Sequence, residues 1–325
     1  MMIPDERTGK HACVIAVDLG ATNLRVALVT GTGIAERTRT ARMPDNPSGA
    51  AAITGLLIRN IRALAPQEEI AACAGIGIGA AGPVDKNHTT IVRPPNIPLE
   101  SVPLADPLTE EFGLPVRLVN DCCAGLLGEA YFGAGREYGT FVYLTISTGI
   151  GAGIIANGSV VAGRDGNAGE VGHLFVDSDY GLPCGCGGKG HWEGYASGRF
   201  LPRFYHAWRR KNGLTEERDV VFAADLFRRI RQEPDPPSHG FIRELGRINA
   251  RAISDIIVAY DPEAIVFDGS VVLSNPDLIL APIEEYADRY LPLPRLTVSS
   301  LAGHAPHLGA SVIAHGYRTR FGPVG

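Results

Sequence analysis

Apolar residues in this chain gather in short runs broken by glycine turns. Cys13–Val17 and Leu24–Val29 flank the turn Asp18-Leu19-Gly20-Ala21-Thr22-Asn23, which predicts a β-hairpin rather than a strand-to-helix unit. A third strand is expected near 34–39, then an amphipathic helix over 49–64 and a buried strand over 70–78. The second half repeats this order, with a strand over 140–147, a glycine loop, a strand over 152–157 and a short one from Ser159. Such a repeat predicts an internally duplicated α/β protein. Between the halves, a short strand over 115–119 ends at Asn120-Asp121 and runs into a small-residue helix, Cys122–Tyr131, a natural crossover between lobes. The polar, proline-broken stretch 233–239 reads as a loop between helices and no low-complexity tail is present.

Composition narrows the function classes. At 325 residues there is room for two lobes, each with its own core. With 30 basic against 35 acidic residues the net charge is -5, which gives no general attraction to nucleic acid or to anionic membranes. The first ten residues are polar, and no apolar run approaches the ~20 residues of a membrane helix. The expectation is a soluble, unexported protein. Six cysteines are too sparse for a disulfide scaffold, and Cys184-Gly-Cys186 is easier to explain as a metal site in a reducing cytosol. Cys13, Cys73, Cys122 and Cys123 fall in apolar or small-residue segments and read as buried residues, while His304 and His307 read as surface loop residues.

The turn at 18–23 combines an acid, a side-chain-free backbone position and a hydroxyl. Its N–H groups and Thr22 suit phosphate oxygens, and Asp18 suits Mg²⁺, although Asp and Gly also make ordinary turns. A second loop, Ser147-Thr148-Gly149-Ile150-Gly151-Ala152-Gly153, stands at the matching place in the second half. Neither fits a P-loop. Gly77-Ile-Gly79-Ala-Ala-Gly82 matches a dinucleotide fingerprint by letter, but Pro83 follows where a helix is required. Asp121 lies beside Asn120 at a helix start, where a carboxylate stays ionised and can take a proton from a hydroxyl; on local sequence alone a plain N-cap is the simpler reading.

The most specific spacing is His173, Cys184, Cys186 and His191, four ligand types in nineteen positions, with glycines that let the chain fold tightly around Zn²⁺. Glu170 and Glu193 flank this cluster and suit paired sugar hydroxyls.

With these residues assembled, the chain resembles the ROK family of repressors, open reading frames and kinases, which includes glucokinases, N-acetylhexosamine kinases and fructokinases. The resemblance runs from Val14 to the final helix, through 18–23, Gly75-Ile-Gly-Ile78, Gly82-Pro83, Pro95-Asn96-Ile97-Pro98, Asn120-Asp121, 147–153, Glu170–His173 and the cysteine cluster. It implies an actin-like ATPase (ribonuclease H-like) fold, two α/β lobes around a central cleft. The N-terminal lobe would span 12–122, closed by a C-terminal helix at about 308–322; the second would span 123–307, with a zinc-binding insertion at 167–194. It also implies ATP with Mg²⁺, phosphate contacts from Asp18, Gly20, Ala21, Thr22, Asn23 and from Thr148, Gly149, Ile150, Gly151, Ala152, Gly153, and Gly269 near the adenosine. Asp121 would be the general base, and Asn96, Asn120, Asp121, Glu170, His173 and Glu193 would contact the sugar. Structural Zn²⁺ would be held by His173, Cys184, Cys186 and His191.

The expected reaction is phosphorylation of a hexose or N-acetylhexosamine, glucokinase-like at the 6-hydroxyl, by a homodimer or homotetramer. A sugar-sensing regulator or a non-catalytic sugar-binding protein is the alternative. The former needs a helix-turn-helix ahead of the first strand, where about eleven residues are too few. Three places depart from the family pattern: His191 for a third Cys, Cys123 for a second Asn, and Ile265-Val-Phe-Asp-Gly269-Ser-Val-Val in place of the usual glycine-richer stretch near the adenosine.

Overall fold

The computed structural model describes residues 13–20, 22–94, 97–215, 217, 219–232 and 234–316. The expectations for Ala21, Asn96 and the stretch beyond Gly316 fall outside the described residues.

The first glycine turn makes the expected hairpin. β1 (Val14–Leu19) runs antiparallel to β2 (Asn23–Val29) with Asp18 opposite Arg25, and β2 pairs in turn with β3 (Ala35–Arg42). After α1 (Ala50–Arg62) the sequence reading fails locally. Residues 70–78 do not form one strand: α2 (Gln67–Ala71) comes first, then β4 (Ile76–Ala80). Pro66 with Glu68 and Glu69 in the first turn favours a helix start, and that local signal outweighs the apolar run. β5 (Thr90–Val92), β6 (Ser101–Pro103) and α3 (Ala105–Phe112) lead to β7 (Val116–Asn120), and α4 (Asp121–Phe132) follows without an intervening loop. The sheet order is β3-β2-β1-β4-β7, with β4 parallel to both β1 and β7.

The same order recurs in the second half. β8 (Phe141–Ile146), β9 (Ile150–Ala156) and β10 (Ser159–Val160) are followed by α5 (Glu193–Ala196), α6 (Leu201–Lys211), α7 (Ala223–Gln232) and α8 (Pro236–Tyr260). Then come β11 (Ala264–Asp268), α9 (Ser270–Ser274), α10 (Pro276–Tyr286), β12 (Arg295–Val298) and α11 (Ala305–Ala314). This sheet reads β10-β9-β8-β11-β12.

The chain divides into two compact units, Met1–Gly139 with Gly153–Ala168 and His304–Gly325, and Thr140–Ala152 with Gly169–Gly303. The first therefore runs past the expected limit at 122. Its extension is α4, which packs on α11: a Cβ at Gly128 would run into the Ala305 carbonyl, and one at Gly309 into the Ala124 carbonyl. Side-chain-free positions thus let two helix backbones approach closely. The glycines at 77 and 79 serve the same contact from the sheet, since added Cβ atoms would strike the Ala310 carbonyl and, at 2.8 Å, Ala124 Cβ. That is why the letters of a dinucleotide fingerprint stand there. α11 begins at Ala305, earlier than expected, with Pro306 in its first turn, and ends before Gly316, which takes φ 63°.

The core of the first unit is aliphatic, built on Ile15, Val17, Val26, Ile76, Ile78 and Leu118. In the second unit Tyr195, Phe204, Tyr205 and Phe241 form an aromatic cluster, edge-to-face at Tyr195–Phe204 and Tyr205–Phe241 and tilted at Phe204–Phe241, and the buried Trp192 Nε1 donates to Asn249 Oδ1 at 2.8 Å.

Candidate active site and metal cluster

Asp121 is the first residue of α4. Asn120, the residue before it, is the N-cap: its Oδ1 accepts from Cys122 N–H at 2.8 Å, while its Nδ2 donates to the Gly82 carbonyl at 3.3 Å. Asp121 Oδ1 accepts from the same N–H at 2.9 Å. Asn120 is thus the cap that local sequence allowed for Asp121, with the Cys122 N–H shared between the two side chains, and the Asp121 carboxylate stands at the positive end of the helix dipole. The first turn of α4 also lies close to Gly153, where a Cβ would come 2.7 Å from the Cys122 carbonyl. Desolvation pushes the Cys123 thiol up to about 12, although the residue, like Cys13 and Cys122, is half-buried rather than buried as expected.

In the first glycine turn, Gly20 N–H bonds the Asn23 carbonyl at 3.0 Å, and Thr22 and Asn23 are exposed. Asp18 stands at the strand end just before it. The second loop is shorter than the sequence implied. Only Ser147–Gly149 lies outside strands, closed by Ser147 N–H to the Gly149 carbonyl at 2.9 Å, and Ile150, Gly151, Ala152 and Gly153 belong to β9. The cause is a tight strand-to-strand turn, which needs no more than three residues. Gly269 ends β11 at φ 92°, where a Cβ would come 2.7 Å from Thr145 Oγ1.

His173, Cys184, Cys186 and His191 converge, their ligand atoms all within 4.8 Å of one another. Cys184 Sγ lies 3.7 Å from His173 Nδ1, and Cys186 Sγ 3.2 Å from His191 Nδ1. A tetrahedral Zn²⁺ with bonds of about 2.3 Å to sulfur and about 2.05 Å to nitrogen sets S···N edges of about 3.6 Å, so this donor set fits the ion. Local backbone dictates the geometry. Cys184 N–H bonds the Gly188 carbonyl at 2.7 Å, Gly187 and Gly190 take φ 90° and 75°, and a Cβ at Gly188 would collide with the His191 ring. Burial raises the Cys184 thiol above its usual range, a cost that a bound cation would offset by stabilising the thiolate.

Glu170 and Glu193 both stand at this cluster. Desolvation raises the Glu170 carboxyl, with Glu193 adding to the rise and His173, 3.8 Å away, opposing it. Glu193 Oε2 accepts from Ile150 N–H at 3.0 Å, and its Oε1 lies 3.9 Å from Cys184 Sγ.

Two arrangements escaped the sequence reading. Tyr143 OH donates to buried Asp268 Oδ2 at 3.0 Å, and Asp268 Oδ1 accepts from Gly269 N–H at 2.7 Å. Asp177, buried, accepts from Tyr195 OH at 2.8 Å and from Tyr180 N–H at 2.9 Å, which ties the metal-binding segment to α5. The aspartate in Phe267-Asp268-Gly269 was a usable signal for the first; nothing local marked the second. No helix among the described residues is long and apolar enough to cross a membrane.

Comparison with known proteins agrees with this geometry. The family model described as "ROK family" matches residues 14–317. A glucokinase of Aeropyrum pernix is 34% identical over 93% of this chain and 96% of its own length. A xylose repressor of Bacillus spizizenii is 32% identical over 74% of this chain, but only 60% of the repressor is covered. The crystal structure of a ROK family glucokinase from Streptomyces griseus, in complex with glucose and AMPPNP, superposes with a TM-score of 0.78 at 31% identity, covering 94% of this chain and 100% of that one. The architecture is the actin-like ATPase fold shared by these kinases. Matched along nearly all of its described length, in motif order and in backbone, the chain belongs to the ROK family.

Proposed function

We propose that this ATP-dependent sugar kinase transfers the γ-phosphoryl group of ATP to the 6-hydroxyl of a glucose-type hexose or N-acetylhexosamine. The observation that carries the reading is Asp121 at the first position of α4, directly after the capping residue Asn120, where a carboxylate can act as a base. Asp121 takes the hydroxyl proton, the sugar oxygen bonds to the γ-phosphorus, and the bond to the β-phosphate oxygen breaks to release ADP. Asn96, Asn120, Glu170, His173 and Glu193 hold and orient the sugar hydroxyls. The turn 18–23 and the segment 148–153 bind phosphate through backbone N–H groups, Asp18 holds Mg²⁺, and Gly269 borders the adenosine. His173, Cys184, Cys186 and His191 hold a structural Zn²⁺, which neutralises the cluster's thiolates and fixes its fold. The same reading puts the protein in the cytosol as a homodimer or homotetramer.

Support comes from the glucose and AMPPNP bound by the Streptomyces griseus relative. A coupled assay of ADP release across glucose, N-acetylglucosamine, N-acetylmannosamine, fructose, mannose and allose tests it. Turnover is expected with at least one glucose-type sugar; ADP release with none of them would favour the regulator or sugar-binding alternative.

A further inference from the structure

The metal-binding segment and the second glycine loop are wired together on two sides. Upstream of His173, Ala152 N–H bonds the Gly169 carbonyl at 2.8 Å, and Gly172 lies so close that a Cβ there would run into the Ile150 carbonyl. Downstream of His191, Gly198 N–H bonds the Ser147 carbonyl at 2.7 Å and Arg199 N–H the Thr148 carbonyl at 3.3 Å. Between them, Glu193 Oε2 accepts from Ile150 N–H at 3.0 Å. A Cβ at Gly149 would lie 2.6 Å from that same oxygen, so glycine at 149 is what lets the carboxylate reach the loop. Every backbone bond named here is between residues of the second unit.

From this we infer that Glu193 is a positioning residue for the nucleotide as well as a sugar ligand: its carboxylate fixes the loop Ser147–Ile150 in the conformation that receives ATP. The inference rests on the phosphate role proposed for that loop and adds what holds it in shape. An acid beside a phosphate site repels the ligand through space, so it favours nucleotide binding only if its geometric effect exceeds that repulsion. The 3.0 Å bond to a backbone donor is such an effect, since a charge-assisted hydrogen bond is worth more than a neutral one. Gln can keep the bond through its amide oxygen; Ala cannot.

The test is AMPPNP binding with Mg²⁺ in the absence of sugar, measured by titration calorimetry on the zinc-loaded protein, with bound zinc quantified in each sample. Glu193→Ala should weaken AMPPNP about tenfold or more, and Glu193→Gln should restore most of that loss. Gly149→Ala, which displaces the carboxylate without altering it, should weaken AMPPNP like Glu193→Ala. Sugar binding is titrated separately. If Glu193→Ala binds AMPPNP as tightly as the unaltered protein, or more tightly, the positioning role is refuted even where sugar affinity falls. If the unaltered protein binds no AMPPNP, the kinase reading itself fails, a different and distinguishable result.

Discussion

Asp121→Asn separates chemistry from folding, because the structure shows which part of the helix start each residue supports. Asn120 Oδ1 holds Cys122 N–H at 2.8 Å, so the cap survives the substitution, and an amide oxygen at 121 can still accept from the same N–H. What disappears is a negative charge in the first turn of α4, worth about 0.3–1 kcal/mol against the helix dipole. For a protein of this size that corresponds to a melting shift of about 2–4 °C at most. Turnover should behave differently. An amide cannot take the hydroxyl proton, so kcat should fall about 10²- to 10⁴-fold with little change in KM for ATP. Asn120→Ala provides the converse, since losing the cap costs about 1 kcal/mol of stability. Coupled ADP assays with the best sugar, alongside thermal melts of both variants, measure the two quantities. Turnover of Asp121→Asn within threefold of normal would remove Asp121 as the base. A melting loss as large as that of a core substitution would instead mean that its inactivity reports unfolding.

Two further predictions concern histidines. His191→Ala should lower zinc affinity about 10²- to 10³-fold, because a structural site worth roughly 10–16 kcal/mol is shared among four ligands, whereas His191→Cys should retain the ion; competition with a chromophoric chelator measures both, and full zinc in the alanine variant would make His191 a bystander. His307 is buried in α11 with Nδ1 unpartnered, and burial, with Arg25 and His304 adding, depresses it from 6.5 to about 3. Below 6.5 the unfolded chain binds a proton that the folded one refuses. The contribution is thus present above 6.5 and lost progressively as pH falls from 6.5 towards 3, amounting to about 1.4 kcal/mol by pH 5.5. Denaturant melts at pH 7.5 and 5.5 should show a smaller pH loss for His307→Gln, and an identical loss would mean that this side chain is not held neutral.

The features legible in sequence were those whose cause is local. Glycine turns between apolar runs announced the two hairpins, and Asn-Asp before a small-residue stretch announced the start of α4. Ligand spacing announced the grouping of His173, Cys184, Cys186 and His191, which the structure brings together. The illegible features depend on partners far away along the chain. Glu193 and Ile150 are 43 positions apart and Tyr143 and Asp268 are 125 apart, so no window of sequence holds both members of either pair. His307 was misread as a surface residue for the same reason: what buries it is helix packing against β-strands nearly the whole chain away. The helix at 67–71 was lost for the opposite reason, a weak capping signal hidden inside a stronger apolar one.

The packing of α11 on α4 also sets a schedule for synthesis. The first unit holds the start of the chain but remains unfinished until His304 and the helix after it have been made, whereas most of the second unit is the unbroken stretch Gly169–Gly303. On the ribosome, the residues before 140 must therefore wait for those after 303. Until then the glycine-lined faces of β4 and α4 have no backbone to receive, and β1 and β4 keep apolar surface uncovered. A chain stopped short of residue 304 would expose that surface permanently, which makes termination just before α11 a route to aggregation rather than to a slightly shortened enzyme.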